Sequence, residues 1–294
     1  MSEAIERDAR VQTMAYLALT VSVFLHAGWN VALAWVRRRD HPVSSTADML
    51  IAGGLVFLPI ALYTWRFDLA ALPFAAASIL INCCYFVLLE KAYATAPVGE
   101  VYPVVRGSSP VLVVTATAIL GTTVGWTRWL GVAFIATGVV LIALSRAQPT
   151  APGITGGRRS VLWGLTVGAC VAAYTLSDSF GVQHASPIAY LVVVMAVPGL
   201  ILKARSRLRG DHTPIPLRAI PLSIAGGSAM LGAFGLTLIA MTHLPIAVVA
   251  SVRESSIVVG ALLSRALLSE RIAPQGAVGI ASVLTGTLVL GLAT

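Results

Sequence analysis

The sequence predicts an all-α integral membrane protein, with ten transmembrane helices arranged as two inverted five-helix repeats around a central cavity. Three observations support this prediction. Apolar residues occupy 57% of the 294 positions and charged residues only 11%, whereas an ordinary soluble domain has roughly 25% charged residues. The mean hydropathy is +0.87. The apolar residues also fall in continuous runs long enough to cross a membrane, which takes about 20 residues in a helix.

Ten such runs follow one another along the chain. They lie at about 13–36, 46–65, 69–92, 97–121, 127–145, 160–181, 185–203, 217–241, 246–269 and 273–293. The longest polar connectors, at 145–160 and 203–218, are too short to form a separate domain. The formal net charge of +8 is explained most simply by lysines and arginines that flank the membrane. We therefore expect the chain to meet a lipid bilayer and not nucleic acid.

The connector at 145–160 separates two halves that resemble each other. The segment "VRGSS" at 105–109 matches "VRESS" at 252–256 with one residue of slippage. Other equivalent positions differ by 148 residues: His26 and Tyr174, Asn30 and Asp178, Phe86 and Phe234, Pro97 and Pro245, Gly131 and Gly279, Gly138 and Gly286. Matched proline, arginine and glycine positions are not expected by chance between apolar segments. The chain is therefore predicted to contain one five-helix repeat at 1–148 and a second at 149–294.

The number of spans in each repeat determines the geometry. Because five is odd, the second repeat enters the membrane from the side opposite to the first, so the two are inverted. Inverted repeats are typical of secondary transporters, in which the substrate site lies near the membrane midplane where the repeats meet.

Two arginines lie deep within predicted spans. Arg106 is nine residues into the fourth span, about 13 Å from its start and close to the middle of a ~30 Å hydrocarbon core. Arg253 has the equivalent depth in the ninth span. Each arginine costs at least about 2.5–3.5 kcal/mol at such a depth. Side chains this costly are expected to face a polar interior and not lipid.

Helical spacing places further polar residues on the same faces as these arginines. Tyr102, Arg106 and Ser109 share one face of the fourth span, and Arg253, Ser256 and Gly260 form the equivalent face of the ninth. In the first span His26 and Asn30 lie four residues apart, beside Trp29, and in the sixth Tyr174 and Asp178 have the same spacing. A single shared cavity is the simplest common environment for all four faces.

Two interpretations of the arginines remain open at this stage. Arg106 could pair with Asp178 or Glu100, and Arg253 with another carboxylate, as structural clamps between helices. Alternatively, at least one guanidinium binds a substrate carboxylate, which its planar, forked donor geometry suits. A buried Asp178 near an arginine would stay ionised, which argues against a role in proton coupling at neutral pH.

For the other side chains of these spans, ordinary packing between helices is the alternative to substrate binding. His26 taken alone is as readily explained as a hydrogen-bonded residue between helices. The aromatic residues Trp29, Tyr85, Tyr102 and Tyr174 could line a ligand through ring contacts or fill the core.

Three classes of function follow from these features. A carrier for amino acids or similar zwitterions would use a guanidinium for the carboxylate. An exporter of cationic or aromatic drugs would favour unpaired membrane carboxylates over arginines. Deep arginines are at least as frequent in this chain, which favours the amino-acid carrier. A membrane enzyme acting on lipids would need clustered acidic or histidine residues, but DxxD, HxxxH and HExxH spacings are absent, as are GxGxxG and Walker sequences. We expect no enzymatic activity, no metal and no cofactor.

At the level of motifs, the chain resembles the EamA branch of the drug/metabolite transporter superfamily. The resemblance rests on "HAGWN" in the first span, "EKAYATAPVGEVYPVVRGSSPVLVV" across the third and fourth, "AAYTLSD" in the sixth, and the Gly/Thr-rich fifth and tenth spans. It implies alternating access and export of small metabolites from bacteria, most often amino acids, including aromatic ones. It also implies a multi-pass protein of the bacterial inner membrane.

Spacing and resemblance together define the candidate substrate-binding residues. These are His26, Trp29, Asn30, Tyr85, Tyr102, Arg106, Tyr174, Asp178, Arg253 and Ser256. The fifth and tenth spans, which are nearly free of polar residues other than Thr, are expected to be structural and are candidates for a homodimer contact.

The distribution of basic residues predicts the orientation in the membrane. With ten spans, the side that holds both termini has four basic residues: Arg7, Arg10, Arg66 and Arg128. The opposite side has fourteen: Arg37, Arg38, Arg39, Lys91, Arg146, Arg158, Arg159, Lys203, Arg205, Arg207, Arg209, Arg218, Arg265 and Arg271. Since basic loops stay in the cytoplasm, both termini are predicted to lie outside, although the resemblance implies that they lie inside.

Overall fold

The computed structural model describes residues 2–37, 46–95, 98–121, 125–145, 158–210, 217–268 and 274–292. Within these ranges the chain forms eleven α-helices. They are α1 (Ser2–Arg37), α2 (Thr46–Tyr63), α3 (Leu72–Thr95), α4 (Val98–Ile119), α5 (Trp126–Ser145), α6 (Arg158–Gly181), α7 (Pro187–Leu208), α8 (Ile220–Met241), α9 (Ile246–Glu254), α10 (Ser256–Leu268) and α11 (Pro274–Leu292). The all-helical class predicted from the sequence is confirmed for this part of the chain.

The helices follow the predicted spans closely, with differences at the N-terminus and in the ninth span. Helix α1 begins at Ser2, well before the span predicted at 13–36. The residues between Ser2 and that span include no glycine or proline that would stop the helix. An exposed ion pair between Glu6 and Arg10 at 3.7 Å adds the modest support expected of residues four positions apart in a helix.

Several helices of the described chain are suited to cross a membrane by length and composition. Five apolar segments meet both criteria: Ala9–Trp29, Thr46–Tyr63, Leu69–Leu89, Pro187–Leu208 and Ile220–Met241. Shorter apolar segments lie within α4, α5 and α11. The total of ten spans stays a prediction.

The ninth predicted span, expected as a single helix, is divided into α9 and α10. The N–H of Ser255 bonds to the carbonyl O of Val252 at 3.0 Å, three residues back instead of four, and Ser255 Oγ donates to the same oxygen at 2.6 Å. Because this bonding pattern tightens the turn, a new helix begins at Ser256. The continuous face that the sequence predicted from Arg253 through Ser256 to Gly260 is therefore interrupted.

One compact unit of the structure comprises residues 1–83 and 177–244. In it α2 packs against α7 and α8, and α1 packs against α8. Ser22 in α1 donates to the backbone O of Ala233 at 2.6 Å, and its Oγ lies 2.9 Å from the hydroxyl of Thr237. Such bonds satisfy polar groups that have no access to water within a membrane.

The contact between α2 and α7 in this unit includes an ion pair that the sequence analysis missed. Lys203 Nζ lies 2.6 Å from Asp48 Oδ1, and both side chains are largely buried. The helices are antiparallel, since Ala47 and Leu50 approach Gly199 whereas Gly54 approaches Ala196.

The second compact unit comprises residues 84–176 and 245–294. Its tightest packing joins α5 and α11, and it contains reciprocal contacts. A Cβ atom on Gly138 would lie 2.5 Å from the carbonyl O of Gly279, and one on Gly286 would lie 2.6 Å from the carbonyl O of Gly131. Gly138 and Gly286 occupy equivalent positions in the two repeats, and so do Gly131 and Gly279. The two antiparallel helices therefore contact each other through equivalent surfaces. The homodimer contact that the sequence suggested for the fifth and tenth spans stays a prediction.

Candidate functional site

Arg253 is the centre of a polar cluster in the second unit. It lies in the last turn of α9 with 4% of its surface exposed. Its Nη2 donates to Thr175 Oγ1 at 3.4 Å, and its guanidinium carbon lies 6.0 Å from the centroid of the Tyr174 ring. The ring face supplies partial negative charge to the cation. A guanidinium binds planar anions through its parallel N–H donors.

Two aromatic residues of the sequence prediction extend this cluster. The rings of Tyr85 and Tyr174 meet edge to face, with centroids 5.9 Å apart at 78°, and Tyr85 also contacts Phe86 at 4.9 Å. Edge-to-face geometry fixes both rings. The structure therefore brings Tyr85, Tyr174 and Arg253 together.

The two repeat-equivalent serines of the second unit are both buried. Ser109 in α4 is 0% exposed and Ser256 at the start of α10 is 2% exposed, and neither hydroxyl has a hydrogen-bond partner in the structure. Arg106, one turn before Ser109, is 7% exposed, and α4 packs against α9. A buried hydroxyl without a partner is unfavourable by about 1–3 kcal/mol, and of the two serines only Ser256 was predicted from the sequence to bind substrate.

Asp178 lies in the first unit and is 0% exposed. Its Oδ1 accepts a hydrogen bond from the hydroxyl of Tyr190 at 3.1 Å. Tyr190 is fully buried, and its ring stacks on Phe67 with centroids 6.2 Å apart. The sequence analysis missed Tyr190. The available signal was a tyrosine within an apolar span, which needs a partner for its hydroxyl when buried.

His26 and Trp29 lie on α1 in the first unit, with ring centroids 5.7 Å apart and edge-to-face geometry. Trp29 also lines an apolar cavity of about 470 Å³. The other lining residues are Val21, Phe24, Leu25, Gly28, Met49, Leu222, Ala225, Gly226 and Ala229. The indole N–H of Trp29 is buried and has no hydrogen-bond partner in the structure.

Some predicted residues fall outside the description. The side chains of Asn30 and Tyr102 lie outside the described residues, as do those of Glu100 and Glu254. Their assignments stay predictions.

Comparisons with known proteins place the chain in a family. The model of the EamA-like transporter family matches residues 13–144 and again residues 158–292. The chain belongs to the EamA-like transporter family. It is therefore a multi-pass membrane protein of a transporter family, and the resemblance drawn from the motifs is confirmed at this level.

A crystal structure of a protein shares the fold of this EamA-like chain. The two are 15% identical, with a TM-score of 0.73 over 97% of this chain and 99% of the other. At this identity the likeness concerns the fold only. Among curated proteins, no sequence matches.

The second unit of this EamA-like chain thus contains five of the predicted residues with a described environment: Tyr85, Arg106, Tyr174, Arg253 and Ser256. The first unit contains His26, Trp29 and Asp178. Thr175, whose hydroxyl oxygen accepts the hydrogen bond from Arg253, was not predicted, because a threonine in an apolar helix usually bonds its own backbone.

Proposed function

We propose that this EamA-like chain is a secondary transporter that exports small metabolites, above all amino acids, across the bacterial inner membrane. The substrate carboxylate binds the guanidinium of Arg253, and the substrate crosses by alternating access. The chain is built of two inverted five-helix repeats, at 1–148 and 149–294. It works without a cofactor or catalytic step.

The observation that carries this proposal is the environment of Arg253. A guanidinium buried to 96% is costly to place in a membrane helix, and the structure gives it a hydroxyl and an aromatic ring as neighbours. Both of these neighbours are uncharged, and they orient the guanidinium. An arginine placed in this way favours a carboxylate, because two parallel N–H donors match two carboxylate oxygens.

The inverted arrangement is supported by two pairs of equivalent helices. Helices α5 and α11 pack antiparallel through Gly138 and Gly286, and α2 and α7 also pack antiparallel. Equivalent helices that run in opposite directions are expected when the second repeat enters the membrane from the other side. This architecture is typical of secondary transporters.

Uptake of labelled amino acids into proteoliposomes tests the proposal. Arg253→Ala should reduce uptake at least tenfold, and Arg253→Lys should be intermediate, since it keeps the charge but loses the forked geometry. Arg207→Ala provides the matched control, because Arg207 is exposed at the end of α7. Uptake by Arg253→Ala equal to that of the wild type would contradict the carboxylate assignment.

The apolar cavity favours a second candidate, export of drugs or other apolar organic solutes. Its lining is apolar apart from the indole N–H of Trp29, and it would suit an uncharged aromatic compound. If this candidate holds, Ala225→Phe should block transport of a neutral aromatic compound. Arg253→Ala should then leave that transport unchanged.

A further inference from the structure

The interruption between α9 and α10 lies directly beside Arg253, within the second unit. Ser255 separates the two helices, Arg253 lies in the last turn of the first and Ser256 is the first residue of the second. Three features that favour an anion therefore occur within four consecutive residues. They are a guanidinium, a hydroxyl and a helix N-terminus.

We propose that the start of α10 is a carboxylate-binding subsite, in which Ser256 and the first N–H groups of the helix bind one oxygen of a substrate carboxylate and Arg253 binds the other. This inference rests on the proposed function and specifies how the substrate is held. Free small carboxylates are expected to bind there as well.

The helix N-terminus of the proposed subsite is the start of α10. The N–H groups of the first residues of a helix, here Ser256 and Ile257, have no acceptor within that helix. The aligned peptide dipoles of a helix also place about half a positive charge at its N-terminus. Helix α10 has 13 residues, enough for this effect, and an anion is a natural partner of such a terminus.

The side chain of Ser256 provides independent support for a ligand. It is 2% exposed, and its hydroxyl has no hydrogen-bond partner among the residues that the structure describes. In contrast, the neighbouring Ser255 satisfies its hydroxyl by bonding to Val252 O at 2.6 Å. A buried hydroxyl that does not bond its own helix is available to a ligand oxygen.

The equivalent position in the first repeat shows why the subsite is expected on one side only. Ser108, the counterpart of Ser255, also bonds back three residues, to Val105 O, but at 3.2 Å. There α4 continues without interruption from Val98 to Ile119. Ser109 is as buried and as unpartnered as Ser256, but it has no helix N-terminus beside it. The pair therefore separates the effect of the terminus from that of a buried serine.

Binding measured by thermal unfolding in detergent tests the subsite, with L-phenylalanine and acetate as carboxylate probes. L-phenylalaninamide and acetamide serve as neutral controls. Both carboxylates, and neither amide, should raise the melting temperature of the wild type. Ser256→Ala should weaken carboxylate binding about tenfold, the loss expected for a hydrogen bond to a charged group. Ser109→Ala should stay within twofold of the wild type.

The outcomes distinguish the subsite from the proposed function. If acetate stabilises the wild type in a Ser256-dependent manner but phenylalanine neither binds nor is transported, the subsite stands and the amino-acid proposal fails. If phenylalanine is transported and Ser256→Ala binds it as the wild type does, the subsite is wrong and the proposed function stands. Equal losses in Ser256→Ala and Ser109→Ala also overturn the subsite, and a wild type that binds neither carboxylate overturns both.

Discussion

Ser282 donates a hydrogen bond from its Oγ to the backbone O of Phe134, 2.8 Å away and 148 residues earlier in the chain. Since 148 is the offset of the predicted repeat, Ser282 and Phe134 occupy equivalent positions in the two repeats and contact each other directly. Two equivalent positions can meet in this way only close to a local two-fold axis. The axis passes between α5 and α11, and the reciprocal contacts of Gly138 and Gly286 lie on either side of it.

This relationship predicts that Gly138 and Gly286 are equally intolerant of a larger side chain. In Gly138→Ala and Gly286→Ala the new Cβ would lie within 2.6 Å of a backbone carbonyl O, so the helices must separate. We expect each substitution to lower the free energy of unfolding by about 1–3 kcal/mol, the usual cost of overpacking. Thermal unfolding in detergent measures this.

Gly260→Ala is the matched control, because a Cβ atom at Gly260 meets no atom within 4 Å among the described residues. It should unfold as the wild type does. A difference of more than about 1 kcal/mol between the effects at Gly138 and Gly286 would argue against a symmetric contact, since equivalent overpacking has similar costs.

The ion pair of Asp48 and Lys203 leads to a second prediction. When one charge of the pair is removed, the remaining charge stays largely buried and has lost its ion-pair partner. Asp48→Asn and Lys203→Met should therefore each destabilise the protein by about 3 kcal/mol, at the lower end of the range for buried pairs. The double variant Asp48→Leu, Lys203→Met should lose less than the two single changes together. A double-mutant cycle on unfolding free energies measures the coupling, and additive effects would show that the pair contributes nothing.

Features that depend on nearby residues could be predicted from the sequence, whereas contacts between residues far apart in the chain could not. The helices and the burial of Arg106 and Arg253 were predicted, because hydropathy and the cost of a buried charge are local properties. The ion pair of Asp48 and Lys203 was not predicted, since its residues lie 155 positions apart and each stands near the end of its own span. Only the packing of α2 against α7 brings them together.

The division of the ninth span was missed for a different reason. "VRGSS" and "VRESS" carry the same serine pair, and in both the first serine bonds back to a valine carbonyl. Only the second copy breaks the helix. The local sequence therefore permits both outcomes, as expected when a serine hydroxyl competes with the backbone. The tertiary environment selects one.

Tyr190 provides a third prediction through its bond to Asp178. In Tyr190→Phe the carboxylate loses the donor at 3.1 Å while it stays fully buried. Loss of a hydrogen bond to a buried charge should lower the unfolding free energy by about 1–3 kcal/mol. Tyr16→Phe is a suitable control, because Tyr16 lies in the same unit and is only partly buried. The double variant Asp178→Asn, Tyr190→Phe should lose less unfolding free energy than the two single variants lose together. If the losses are additive, the hydrogen bond is not the source of the effect.

The fourth prediction concerns orientation, because the ten predicted spans would place four basic residues on the side of the termini and fourteen on the opposite side. A reporter that fluoresces only in the cytoplasm, fused after residue 294, should stay dark. A phosphatase that is active only outside should be active at the same position. The matched control is a fusion after Gly210, the end of the described part of the basic connector, where the fluorescent reporter should be bright and the phosphatase inactive. The reverse pattern at both sites would place the termini inside. It would also show that the basic residues of 203–218 do not determine the orientation in the way that the positive-inside rule predicts.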